Sequence, residues 1–144
     1  MIKKIVFDMD GTIADLYNVP QWKEHLNNNS TKPYRDALPL YNMMLLCQVL
    51  RNLKNVGWCI SVVTWGSIGA NNDFMERITE TKRKWLNKFQ FPYDEFICTE
   101  YGTPKRVKAD YSILFDDNAE VRAEYNGDTV DATNNIIPEL LKLF

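Results

Sequence analysis

The sequence is poor in the residues that build disulfide frameworks and zinc sites. Its 144 residues include one histidine, His25, and three cysteines, Cys47, Cys59 and Cys98, with no CxxC pair. An odd number of cysteines without paired spacing argues against a disulfide scaffold, and so few soft ligands argue against a zinc site. We therefore expect buried, reduced thiols.

The sequence also lacks long apolar runs and an excess of positive charge. No run approaches the ~20 residues that span a bilayer, and the apolar part of the opening MIKKIVF is too short for a signal peptide. We therefore expect a cytoplasmic protein without a membrane partner. A net charge of −2 gives no basic footprint for general nucleic-acid binding, although a single phosphate needs very few cations. Nothing in the sequence indicates an oligomeric state.

Short runs rich in β-branched residues alternate with helical patterns. The runs are Ile2–Phe7, Cys59–Thr64, Glu95–Thr99, Ser112–Phe115 and Thr129–Ala132, and the helical stretches are Leu40–Val56, Asp73–Phe89, Ala119–Tyr125 and Pro138–Phe144. Pro39 suits the first turn of the first of these helices, and Gly57 suits its end. Strands that alternate with helices predict a parallel sheet covered on both faces. The predicted fold class is α/β, a three-layer doubly wound parallel sheet in a single domain over residues 1–144.

Polar residues follow the predicted strands at the edge where such sheets place their sites. Asp8 and Asp10 follow the first strand, and two acids in this spacing on an extended chain project to the same side. Carboxylates suit a hard cation such as Mg²⁺, and a carboxylate can also act as a nucleophile. Gly11 and Thr12 then permit a turn whose free N–H groups could hold phosphate oxygens. A plain Asp-Gly turn would explain Asp10 but not Asp8.

Two later strand ends carry the same kind of chemistry. Thr64 and Trp65 lead into a glycine-bearing loop that suits a phosphate cradle, although most strand-end threonines are turn residues. Asp116 and Asp117 end the fourth strand, where adjacent acids repel each other unless a cation lies between them. One of these two acids could instead cap the following helix.

In combination these motifs resemble those of the haloacid dehalogenase (HAD) superfamily of phosphatases. The likeness lies in the DxDGT motif at Asp8–Thr12, in Thr64, and in the acid pair Asp116-Asp117, in the same order along the chain. A weaker likeness to the 5′-nucleotidase and deoxyribonucleotidase branch lies in Lys82–Trp85, Phe96–Lys105 and Ala109–Asp117. The resemblance implies a Mg²⁺-dependent phosphomonoester hydrolase that works through an aspartyl-phosphate.

The resemblance also implies a role for each motif residue. Asp8 attacks phosphorus, and Asp10 protonates the leaving oxygen and later deprotonates water. Mg²⁺ is held by Asp8, by the backbone carbonyl of Asp10 and by an acid of the pair, with Asp117 favoured over Asp116. Gly11, Thr12, Thr64, Trp65 and a lysine hold the phosphate.

The lysine of the third family motif has three candidates. Lys105 is preferred because it follows the third strand and its loop, while Lys108 lies close behind and Lys82 lies in a predicted helix. Each of the three could equally be an exposed surface lysine, which is the usual environment of this residue. We expect the loss of Lys105 to be severe and the loss of Lys108 or Lys82 to be mild.

The stretch between the first two motifs is longer than one crossover helix needs. Its surplus, Ala14–Asp36, is too short for a full cap domain, and we interpret it as a loop or mini-cap insertion over the site. Its aromatic residues could stack on a base or pack on the core, and we expect the segment to be replaceable without loss of aryl phosphate hydrolysis. The preferred partner is a small phosphomonoester such as a nucleotide. A macromolecular phosphate and a non-catalytic HAD-like binding module remain the alternatives.

Overall fold

The computed structural model describes all 144 residues. In chain order the elements are β1 (Lys3–Phe7), β2 (Ala14–Asp15), a 3₁₀ turn (Leu16–Asn18), α1 (Trp22–Asn27), α2 (Lys32–Asp36), β3 (Leu38–Pro39), α3 (Met43–Asn55), β4 (Trp58–Trp65), α4 (Asn72–Lys88), β5 (Glu95–Thr99), β6 (Tyr111–Asp116), α5 (Ala119–Glu124), β7 (Asp128–Asp131) and α6 (Ile137–Leu141). No helix is both long enough and apolar enough to cross a membrane.

The central sheet has five strands, all parallel, in the order β5-β4-β1-β6-β7. One face carries α3, α4 and α6, whose apolar side chains pack in one cluster with Ile5 and Phe7 of β1. The other face is smaller, and Val121 of α5 packs there against Val6 and Leu114. The predicted three-layer, doubly wound α/β fold is therefore confirmed.

The first long helix begins later than the sequence predicts, but it ends close to the predicted position. Pro39 lies in β3, which pairs with β2 in a small antiparallel ribbon, and α3 begins four residues later. Asn42 caps α3 by accepting a hydrogen bond from the N–H of Leu45. Gly57 has a φ of 106° and follows the end of α3, as expected. The placement of Pro39 in the first helical turn was wrong because proline suits a short edge strand as well as a helix start.

The strand order creates a switch point between β1 and β6. The chain leaves β1 towards β4 and β5, then returns across the sheet to β6 and β7. Phe7 pairs in register with Phe115, so the residues that follow β1 lie beside those that end β6. Open α/β sheets bind ligands in the crevice at such a point, next to the carboxyl ends of the strands.

The segment Ala14–Asp36 is structured and packs on the rest of the domain. It contains the 3₁₀ turn, α1 and α2, and it buries Leu16 and Tyr34 against Phe74 and Ile78 of α4. Among its aromatic residues, Tyr34 is therefore a packing residue, whereas Tyr17 is half exposed.

Candidate active site

Three carboxylates meet at the switch point between β1 and β6. Asp8 follows β1 directly, and its backbone N–H donates a 3.0 Å hydrogen bond to the carbonyl of Phe115. This bond brings Asp8 beside Asp116 and Asp117, and one carboxylate oxygen from each of the three acids lies within 4.8 Å of the others. The structure thus brings Asp8 together with the acid pair Asp116-Asp117.

Lys105 joins two of these acids. Its Nζ lies 2.8 Å from Asp8 Oδ1 and 2.8 Å from Asp116 Oδ2, and the side chain is almost fully buried. Lys108 is exposed and contacts none of the acids. Of the three candidate lysines, Lys105, which the sequence favours, is therefore the one that contacts Asp8.

Lys82 is buried in the same site but contacts a different acid. Its Nζ lies 2.8 Å from Asp10 Oδ2, 2.8 Å from Thr64 Oγ1 and 2.7 Å from the carbonyl oxygen of Trp65. The side chain has no solvent exposure, which excludes the surface alternative for Lys82. The sequence did contain a signal, because Lys82 lies on the apolar stripe of α4, four residues after Ile78 and three before Trp85.

The turn after Asp10 has a different role from the one expected. The N–H of Gly11 donates to the carbonyl of Ala14 and that of Thr12 to the carbonyl of Met9, so neither is free for phosphate. Thr12 is fully buried, and its hydroxyl donates to Asp8 Oδ2 at 3.0 Å. Gly11 has a φ of 82°, and a Cβ there would collide with Asp117 Oδ2. Gly11 and Thr12 therefore allow and orient the carboxylates, and their assignment as phosphate-binding groups was wrong.

Thr64 is fully buried and does not line the cavity above the acids. Its hydroxyl accepts the hydrogen bond from Lys82. Trp65 does line the cavity, and its ring lies 5.3 Å from Lys105 Nζ. Of these two predicted phosphate contacts, only Trp65 faces the space that a substrate could enter.

The electrostatics of the cluster favour a bound cation. Burial, together with the neighbouring carboxylates of Asp8 and Asp116, raises the pKa of Asp117 to about 8. Burial and the charge of Asp8 also raise the pKa of Asp116, against the opposing effect of Lys105. Three acids share the one ammonium group of Lys105, so the cluster carries excess negative charge when all three are ionised.

The donor set fits Mg²⁺, a hard ion that prefers oxygen ligands. The cluster offers only carboxylates, and the backbone carbonyl of Asp10 accepts no hydrogen bond within the protein. Asp116 already has both oxygens engaged, by Lys105 and by the N–H of Asn118, whereas Asp117 forms no ion pair. Asp117 therefore fits the direct ligand better than Asp116. Neither acid caps α5, because Asn118 does so.

The acids lie at the floor of a cavity of about 440 Å³. The segment Ala14–Asp36 contributes Leu16, Tyr17, Trp22, Lys23, Leu26, Asn27 and Tyr34 to its lining, and the rest of the domain contributes Trp65–Ile68, Tyr101, Asn118 and Val121 beside the acids. Trp65 and Tyr101 pack together with ring centroids 5.0 Å apart. Tyr101 and Asn118 were not predicted from the sequence, since a loop aromatic and a helix cap carry no motif of their own.

Comparisons with known proteins give a likeness of fold. No protein-family model and no curated protein matches the sequence. Among solved structures, a chain of the "Structure of Pnkp1/Rnl/Hen1 complex" superposes with a TM-score of 0.60 at 17% identity, covering 90% of this chain and 45% of that chain. A chain of the "Structure of the Pnkp1/Rnl/Hen1 RNA repair complex" gives 0.59 at 19% identity, covering 90% of this chain and 42% of that chain. This chain thus spans less than half the length of these neighbours, and it is similar to them in fold.

Proposed function

We propose that this chain is a Mg²⁺-dependent phosphomonoester hydrolase of the HAD type that forms a phospho-aspartate on Asp8. The observation that carries the proposal is the separate pairing of two acids. Asp8 lies with Lys105 among the clustered carboxylates, while Asp10 is held by Lys82. Two acids in different environments suit the two different roles of nucleophile and proton carrier.

The proposed reaction has two steps. In the first, an oxygen of Asp8 bonds to phosphorus as the bond to the leaving oxygen breaks, and Asp10 gives its proton to that oxygen. In the second, water attacks the phospho-aspartate, Asp10 takes a proton from the water, and phosphate departs as the Asp8 carboxylate is restored. Lys105 lies where its ammonium group can neutralise charge on the transferring phosphoryl group.

The carboxylates of Asp8 and Asp117 and the backbone carbonyl of Asp10 would hold the metal ion. Bound there, Mg²⁺ supplies the positive charge that orients the phosphate and offsets the clustered carboxylates. The raised pKa of Asp117 supports this role, because it reports a carboxylate that lacks a compensating charge.

The cavity supports a small substrate with one phosphate and a planar leaving group. Its volume falls in the range of small-molecule sites, and its aromatic lining residues come both from the segment Ala14–Asp36 and from the rest of the domain. Lys23 is the only cationic lining residue apart from Lys105, so the cavity offers little to a second or third phosphate. A nucleoside monophosphate fits these requirements, since its base has a planar face for stacking.

A macromolecular phosphate is the second candidate, because two structural neighbours are chains of Pnkp1/Rnl/Hen1 complexes, one of which is titled an RNA repair complex. A panel of phosphorylated metabolites, a phosphorylated RNA oligonucleotide and a phosphopeptide, each assayed for phosphate release with Mg²⁺, separates the candidates. We expect nucleoside monophosphates to have the highest kcat/KM and the Asp8→Asn variant to be inactive on every substrate. Absence of turnover on all of them would favour the non-catalytic binding module.

A further inference from the structure

We propose that Lys82 is a positioning residue that fixes the carboxylate of Asp10 for proton transfer to the leaving group, separately from Lys105. The inference rests on the proposed function, because it assigns a role within the same reaction. It concerns a buried lysine that comes from α4 and not from a strand end.

The hydrogen bonds of Lys82 leave its ammonium group no freedom. A lysine has three N–H donors, and all three have acceptors here: Asp10 Oδ2, Thr64 Oγ1 and the carbonyl oxygen of Trp65. Thr64 and Trp65 belong to β4, so the ammonium group is anchored to the central sheet. Because Lys82 has no solvent exposure, water cannot substitute for any of these bonds.

The anchoring of Lys82 fixes one oxygen of Asp10 and leaves the other available. Asp10 Oδ2 is held at 2.8 Å, whereas Oδ1 receives no hydrogen bond from the protein. The side chain of Asp10 retains 17% exposure and lines the cavity. The free oxygen can therefore face a bound substrate while the fixed oxygen sets the orientation of the carboxyl group.

The position of Lys82 also suits the charge change that proton transfer causes. When Asp10 gives its proton to the leaving oxygen, it becomes a carboxylate in a buried site, and the adjacent ammonium group compensates that charge. When Asp10 later takes a proton from water, the same contact preserves its orientation. Lys82 itself neither gains nor loses a proton in either step.

The two lysines contact different acids. Lys105 contacts Asp8 and Asp116 and has no hydrogen bond to Asp10, and Lys82 contacts Asp10 and has none to Asp8. The loss of Lys105 should therefore harm phosphoryl transfer from every substrate. The loss of Lys82 should harm chiefly those substrates whose leaving group needs a proton.

The test is the dependence of kcat/KM on the leaving group, measured with Mg²⁺ on para-nitrophenyl, phenyl and propyl phosphate. This ratio reports the steps up to the first irreversible one, which includes departure of the leaving group. For Lys82→Met we expect propyl phosphate to lose at least about 10²-fold and para-nitrophenyl phosphate less than about tenfold, because only the alkoxide requires a general acid. For the matched control Lys105→Met we expect similar losses on all three substrates.

A comparison of Asp10→Asn with the double variant Asp10→Asn and Lys82→Met separates a role through Asp10 from a loss of folding. Lys82→Met alone leaves the half-buried carboxylate of Asp10 without its partner, whereas Asp10→Asn combined with Lys82→Met removes both charges together. If Lys82 acts through Asp10, adding Lys82→Met to Asp10→Asn should change kcat/KM for propyl phosphate by less than about threefold. A large further loss in the double variant, or equal losses on all leaving groups in Lys82→Met, would overturn the inference while leaving the phosphatase proposal intact. Absence of turnover by the wild-type protein would overturn both.

Discussion

At the scale of single residues, the site contains two ammonium groups and four acids. Asp10 is the only acid that pairs with Lys82, so Lys105 is the only ammonium group close to Asp8, Asp116 and Asp117. That imbalance is the physical reason to expect a divalent cation, and it also distinguishes the two acids that end β6. Asp116 is fixed by Lys105 and by a backbone N–H, and Asp117 has no such partner.

The replacement of Asp117 and the replacement of Asp116 should therefore have different consequences. Asp117→Asn should raise the Mg²⁺ concentration needed for half-maximal activity by at least about tenfold, because it removes a direct ligand. Asp116→Asn should lower the thermal midpoint instead, because it leaves Lys105 short of a buried partner. Activity titrated with Mg²⁺, together with thermal unfolding of each variant, checks both. Equal Mg²⁺ requirements in the two variants would contradict the assignment.

The sequence predicted the acids of the site better than their partners. Asp8 and Asp116 were identifiable because each follows a buried apolar run, and the parallel sheet then dictates that neighbouring strand ends meet. The contact of Lys82 with Asp10 was not predicted, because the apolar stripe of α4 indicates a buried helix face but not that this face lies against Asp10. Gly11 and Thr12 were wrongly predicted to bind phosphate, because their N–H groups donate to carbonyl groups within the turn.

At the scale of elements, α2 joins the segment Ala14–Asp36 to the buried side chains beneath the cavity. The ring of Tyr34 lies 4.4 Å from Lys82 Nζ, and its hydroxyl group lies 2.7 Å from Ser67 Oγ. Leu16 from the same segment is buried with Phe74 and Ile78. Because these contacts cover Lys82 and an apolar patch of α4, we expect replacement of the whole segment by a linker to lower the stability of the protein.

Single substitutions in this segment should separate packing from substrate contact. Tyr34→Ala should destabilise the protein by about 3 kcal/mol, the usual cost of emptying a buried aromatic site. Tyr17→Ala, at a side chain that is 52% exposed, should leave stability nearly unchanged and raise KM for a nucleoside monophosphate. Chemical denaturation and steady-state kinetics on both variants measure the two effects. Equal stability losses would show that Tyr17 also belongs to the packed core.

At the scale of the whole molecule, the sheet was predictable and the small elements were not. Buried parallel strands are nearly continuous apolar runs, and Ile60, Val62 and Val63 show this pattern in β4. The helices α1 and α2 span six and five residues, which is too short to show a periodic apolar pattern. Neither has a side-chain cap that would mark its start in the sequence. Their formation depends on packing against α4, which is a tertiary effect.

The raised carboxyl pKa values predict how stability depends on pH and metal. A carboxyl group with a higher pKa in the folded state than in the unfolded state stabilises the fold at low pH and loses that contribution as the pH rises. For Asp117 the window runs from its ordinary value of 3.8 to about 8, and Asp10 and Asp116 shift in the same direction. With a chelator present, the thermal midpoint should therefore fall between pH 5 and pH 8.

Metal should reverse this trend, because a bound cation favours the ionised carboxylates. The stabilisation by Mg²⁺ should be larger at pH 8 than at pH 5, and Asp117→Asn should flatten the fall that occurs without metal. Thermal unfolding with chelator and with Mg²⁺ across this range measures both. A midpoint that rises with pH in the absence of metal would show that the acids are already compensated.

The formation of a phospho-aspartate on Asp8 is the central claim, and trapping that species tests it most directly. Asp10→Asn keeps the nucleophile but removes the group that activates water, so the first step should proceed with para-nitrophenyl phosphate while the second stalls. We predict a burst of para-nitrophenol and a protein heavier by one phosphoryl group, localised by mass spectrometry to the peptide that contains Asp8. The double variant with Asp8→Asn should show neither. Phosphate on a serine, threonine or histidine, or full turnover by Asp8→Asn alone, would contradict the account.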